Sequence, residues 1–120
     1  MKNEAKFKNF LEHTILLDKQ TIKEIEDSLY MNGINQLPET KMLIEYQCSV
    51  FEQIQIIYKA RGFKDAYLLT NCYMEQTTNY MMRLHTMKSE GVYITKPLIF
   101  MMEACNVISD RLSRLSRIVS

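Results

Sequence analysis

Apolar positions recur at helical spacing from one end of this chain to the other. Near the N-terminus, Phe7, Leu11, Ile15, Ile22, Ile25 and Leu29 advance by four, four, seven, three and four residues, so at about 100° per residue they form one narrow stripe. Asp18 fills the place left open by the step of seven. Two readings fit: a continuous helix from about Asn3 to Met31 with one carboxylate on its seam, or a break near Asp18 and a restart capped by Thr21 and Glu24. Of the two, the continuous helix is the expectation.

The second segment carries a seam of Leu43, Tyr46, Val50, Ile54 and Ile57, and beside it a row at heptad spacing, Ile44, Phe51 and Tyr58. The third repeats the arrangement, with Ala66, Leu69, Tyr73, Tyr80, Leu84 and Met87 as seam and Tyr67, Met74 and Met81 as second row. In the fourth, Leu98, Met101, Cys105, Ile108, Leu112, Leu115 and Val119 alternate steps of three and four without a miss, the pattern of a core-facing stripe. Ile99, Phe100, Met102 and Val107 make that helix apolar on its other sides too, which predicts that it is covered nearly all round.

Punctuation agrees with four segments. The only glycines, Gly33, Gly62 and Gly91, lie 29 residues apart, and glycine ends helices at low cost because it enters the left-handed region without a Cβ penalty. Pro38 suits the first turn of the second helix, and Thr95 with Pro97 suits the cap and first turn of the fourth. Segments of about 24 helical residues give helices roughly 36 Å long. The expected fold is all-α: an antiparallel up-down-up-down four-helix bundle with long helices and short Gly-containing turns, forming a single domain over residues 1–120.

Composition narrows the class without naming a function. The apolar share of 47% and charged share of 24% are those of an ordinary globular protein. No apolar run approaches the ~18 residues of a membrane span, and the polar start of the chain does not read as a secretory signal. Cys48, Cys72 and Cys105, an odd number with no CxxC spacing, predict free thiols in a reducing cytoplasm. The net charge of +1 conceals a mild asymmetry, −2 over residues 1–60 and +3 over residues 61–120, with all five arginines in the second part.

Candidate chemistry is sparse. Antiparallel stacking brings Asp18, Gln47, Gln76 and Thr77 to one level, where a polar layer would fix register or, less readily, hold a ligand. The two histidines do not fit the Glu-x-x-His pattern of bundle metal sites. Glu52 and Cys72 share the height of His13, but His13 points away from the apolar stripe, so no metal site is expected. Phosphate-cradling and nucleophile-elbow patterns are absent. No cofactor or catalytic group is expected either.

Arg111, Arg114 and Arg117 form the candidate nucleic-acid contact, against the plainer reading of a solvated helix C-terminus. Nine methionines and seven tyrosines give the two-row helices more apolar surface than one helix contact uses, and both residue types are common at protein interfaces. The expectation is therefore a non-enzymatic protein-binding module, a small cytoplasmic regulator, adaptor or inhibitor that pairs as a homodimer. Its expected contact residues are Ile44, Phe51, Tyr58, Tyr67, Met74, Met81, Phe100 and Met102. The alternatives are a nucleic-acid-binding regulator using the three arginines, and a bundle enzyme or metal protein.

Overall fold

A computed structural model describes residues 2–32, 37–91 and 96–119. Four helices account for the order of the chain, α1 (Lys2–Asn32), α2 (Leu37–Arg61), α3 (Phe63–Ser89) and α4 (Lys96–Val119), and no strand occurs among the described residues. The protein is all-α. α1 runs unbroken through Asp18, and α2 begins at Leu37 with Pro38 in its first turn. Gly33 and Thr95 lie outside the described residues, as do the side chains of Leu29, Pro97, Leu98, Phe100 and Val119.

Partners along α1 and α2 run in opposite senses: Tyr58 meets Glu4 near one end, and Lys41 meets Glu26 toward the other. α3 and α4 are related in the same way, with Met74 beside Ser113 and the Met81/His85 pair beside Met102/Asn106. α2 also packs on α3 and, more lightly, on α4, while α1 touches α4.

A single residue joins α2 to α3. The Gly62 N–H donates to the Tyr58 carbonyl at 3.0 Å to close α2, and its own carbonyl accepts from Ala66 N–H at 3.3 Å to open α3. Gly62 does this at φ 96°, ψ −176°, a region essentially confined to glycine and distinct from the left-handed helical conformation that a C-terminal cap uses. An added Cβ would meet nothing within 4 Å. Gly62→Ala is therefore expected to lower stability by about 1–3 kcal/mol through backbone strain alone. Urea unfolding checks this, and an unchanged midpoint would count against the assigned backbone conformation.

The main core cluster draws on all four helices, and Ile25, Leu84, Ala104 and Cys105 are buried outside it. Phe7, Leu11 and Ile15 come from the start of α1, Cys48, Val50, Phe51 and Ile54 from the second half of α2, Ala66 from the start of α3, and Ile108, Leu112 and Leu115 from the second half of α4. Phe7 sits among aromatic rings, edge-on to Phe63 at 5.1 Å and tilted against Tyr58 at 6.0 Å.

Two of the expected rows are kept in part, with Val50 and Ile54 of α2 and Ala66, Leu69, Tyr73 and Leu84 of α3 on the packed side. In α2 the buried line is Ile44, Gln47, Phe51, Ile54 and Tyr58, an unbroken three-four alternation in which Gln47 is buried, whereas Tyr46 of the expected seam is 53% exposed. In α3 the line passes through Phe63, Ala66, Thr70, Tyr73 and Thr77 to Leu84. Thr70 is fully buried because its hydroxyl donates to the Ala66 carbonyl one turn back, at 2.9 Å, and needs no other partner. α4 keeps its expected row but is not covered all round: Ile99 and Val107 are exposed.

The molecule is broader than a closed bundle. Helices of 24 to 31 residues are about 36–46 Å long, and four packed in parallel measure roughly 20–25 Å across in both other directions. The observed extents are 45 × 42 × 20 Å, and the radius of gyration is 16.1 Å against about 13.5 Å for a compact chain of this length.

Candidate functional site: a tyrosine-lined cleft between the helices

A cleft of about 200 Å³ lies between α2, α3 and α4. Tyr46 and Val50 come from α2, Tyr73, Gln76, Thr77 and Tyr80 from α3, and Met101, Cys105 and Ile108 from α4. None of these nine side chains carries a formal charge. Burial pushes the Tyr73 phenol above its ordinary range, with Tyr46 beside it adding to the shift, and burial likewise pushes the Cys105 thiol up. Both groups stay neutral at physiological pH. At Tyr73 the cleft continues into an open groove of about 510 Å³ along α2 and α3, lined by Gln53, Ile57, Leu68, Leu69 and Cys72 with Arg61 and Asp65 at one end. Leu68 and the nearby Ile56 stand about half exposed.

The residues expected to form a contact surface are distributed differently. Phe51 has no exposure at all and is a core residue, so it presents no surface to a partner. Tyr58 and Met74 pack against that core, and the Tyr58 hydroxyl donates to Glu4 Oε1 at 2.9 Å. Ile44, Tyr67, Met81 and Met102 are half-buried, the last two lining a small pocket with His85 and Asn106. Phe100 falls outside the described side chains. The reading of positions missed Tyr46, which it assigned to a buried seam, and placed Tyr80 inside when its ring borders open space.

The polar level of the sequence divides in two. Asp18 is 3% exposed, and both of its carboxylate oxygens accept from Arg111 Nη1, at 2.9 and 2.7 Å. Gln47 is buried, whereas Gln76 is exposed on the cleft wall and Thr77 half-buried there. The Arg111 guanidinium also lies 5.9 Å from the centre of the Phe51 ring, within cation–π range.

The same contacts decide how the arginines are used. Arg111 is held by Asp18, Arg114 pairs with Asp110 at 3.2 Å, and Arg117 Nε donates to the Ser113 carbonyl at 3.4 Å. Arg111 is thus drawn into a largely buried ion pair, while the Arg114–Asp110 pair lies on the exposed face of α4.

Cys48, Cys72 and Cys105 are free thiols. Cys48 Sγ donates to Glu52 Oε1 at 3.1 Å, and burial, that hydrogen bond and the charge of Glu52 push its pKa up to about 12. It is a protonated, poorly nucleophilic group at neutral pH. His13 and Cys72 are exposed, and no cluster of three or more His, Cys, Asp or Glu side chains suited to a metal ion occurs among the described residues. Among the same residues, no helix is long and apolar enough to cross a membrane. No family model matches the chain, and no curated protein or solved structure is detectably similar to it.

Proposed function

We propose that the protein is a non-enzymatic protein-binding module, a small regulator, adaptor or inhibitor, and that the cleft rimmed by Tyr46 and Tyr80 is where it engages its partner. The carrying observation is the character of that cleft: nine uncharged residues, three of them tyrosines, of which Tyr73 also borders the groove lined by Ile57, Leu68 and Leu69. Tyrosine offers a large rigid contact face and a polar tip at little cost in side-chain entropy, the combination that protein interfaces favour. The lining supplies no carboxylate, imidazole or ammonium for proton transfer.

In this reading the chain is one domain with an antiparallel up-down-up-down order. Three free cysteines suit a reducing compartment such as the cytoplasm.

Retention from an extract of the parent cell by immobilised wild-type chain, compared with Tyr46→Glu/Tyr80→Glu, tests the reading. Both positions are at least a third exposed, so the variant is expected to keep its helical content and thermal midpoint while losing the retained protein. Equal retention by the two forms would remove the cleft from the binding surface.

A further inference from the structure

We propose that Met81, His85 and Met102 form a binding site for a soft monovalent metal ion, Cu(I), between α3 and α4. The site is separate from the tyrosine-lined cleft and does not rest on the interaction reading above.

The first argument is placement. Residues four apart stand on one face of a helix with Cβ atoms about 5–6 Å apart. Met81 and His85 are such a pair on α3, Met102 and Asn106 are such a pair on α4, and these four side chains line one pocket of about 140 Å³. Helical bundles build their metal sites in this way, from side chains presented by facing helices. The two methionines are half-buried and His85 is exposed, so the thioethers are the more sheltered groups and the imidazole the more accessible.

The second argument is donor chemistry. Two thioethers and an imidazole are neutral donors, and thioether sulfur selects Cu(I). Calcium and magnesium ions require oxygen ligands, and zinc sites are built from thiolates, imidazoles and carboxylates. None of the four lining residues is a carboxylate or a thiol. A ligand set without negative charge holds a monovalent ion at a lower cost in desolvation than a divalent one. The lack of a Glu-x-x-His pattern excludes a carboxylate-rich centre and has no bearing on a thioether site. Asn106 completes the lining with an amide oxygen, an acceptor suited to the second ring N–H of a ligating imidazole.

The third is adaptability. Methionines that only fill a core close on their neighbours, because interiors pack with few voids larger than a water molecule. Met81 and Met102 border open volume instead. Methionine is unbranched with three rotatable bonds, so both sulfurs can turn toward an ion without movement of the helices. The free thiols suit a reducing compartment, in which copper is held as Cu(I).

Anaerobic titration with Cu(I) against bicinchoninate, a chromophoric chelator, tests the proposal. Cys72 is an exposed thiol and a competing ligand, so the titration uses the full chain carrying Cys72→Ser. That protein is expected to hold one Cu(I) and to prefer it to Zn²⁺. Adding Met81→Leu/Met102→Leu, or His85→Gln, is expected to weaken binding by about 100-fold or more, since loss of an outer-shell partner alone costs about 10–100-fold. Leucine is close to methionine in volume, and circular dichroism is expected to show unchanged helical content in each variant. With Ag(I) as a redox-inert probe, the methyl resonances of Met81 and Met102 and the ring resonances of His85 are expected to shift, while those of the exposed Met42 stay in place. Failure to retain Cu(I), a preference for Zn²⁺, or retention unchanged by the methionine and histidine substitutions would overturn the proposal. Where a variant loses helical content, the Ag(I) shifts in the Cys72→Ser protein decide instead, and shifts confined to other residues would overturn the site.

Discussion

Phe51→Ala is expected to lower the unfolding free energy by about 3–5 kcal/mol, the range for removing a fully buried aromatic ring from a packed core. The ring has no exposure and belongs to the cluster formed with Phe7, Leu11, Ile54, Leu112 and Leu115. Truncation leaves a cavity that neighbours from several helices can fill only in part. It also removes the ring face beside the Arg111 guanidinium. At fixed protein concentration the thermal midpoint is expected to fall on the order of 10–20 °C. Tyr46→Ala, on the same helix but half exposed, is expected to change stability by no more than about 0.5 kcal/mol. The pair of results separates the two roles that heptad spacing alone assigns to Phe51. A contact residue would leave the fold intact and abolish partner retention, whereas a core residue loses stability first. A Phe51→Ala protein as stable as the wild type would overturn the placement of Phe51 in the core.

The sequence pattern carried the four helices, the continuous first helix and the α4 row, because an apolar residue at nearly every third or fourth position leaves one face to bury. It placed Val50 and Ile54 of α2 and Ala66, Leu69, Tyr73 and Leu84 of α3 on the packed side, and erred at Tyr46 and Tyr80 for an identifiable reason. Each packed line also holds polar residues, Gln47 in one and Thr70 and Thr77 in the other, so a purely apolar count passed over them to Tyr46 and Tyr80. Three-four spacing with those residues admitted recovers Ile44, Gln47, Phe51, Ile54 and Tyr58. The burial of Thr70 could have been anticipated, since a helical threonine can satisfy its hydroxyl on the carbonyl four residues back.

The cleft was not legible. Periodicity fixes which side of a helix is apolar and says nothing of the angle at which two helices cross, which depends on how their ridges mesh. Nor does it pair Asp18 with Arg111, residues 93 positions apart that drew attention for unrelated reasons, one as a flaw in an apolar stripe and the other as a member of a basic row.

Arg111→Met is expected to destabilise the protein by about 3–5 kcal/mol, because it strands the Asp18 carboxylate in a site where the guanidinium is its recorded partner. The reverse change is expected to cost much less. The Arg111 side chain is 25% exposed, so after Asp18→Leu its long stem can carry the charge toward water, and leucine continues the apolar stripe of α1. The double variant Asp18→Leu/Arg111→Met is expected to recover most of the loss, since replacing a buried ion pair by apolar groups of similar volume is often neutral or stabilising. Urea midpoints of the four proteins give the coupling directly, and equal losses from the two single changes would defeat the asymmetry. The cycle also bears on the cleft. Asp18 and Arg111 join α1 to α4 and so add to the packing of α2 on α3 and α4 that ties the α1/α2 pair to the α3/α4 pair. An apolar pair can hold those helices together without fixing their angle, whereas an arginine–carboxylate contact is directional. A double variant that is as stable as the wild type yet retains less partner protein would therefore assign the ion pair to fixing the arrangement of the helices around the cleft rather than to holding the fold.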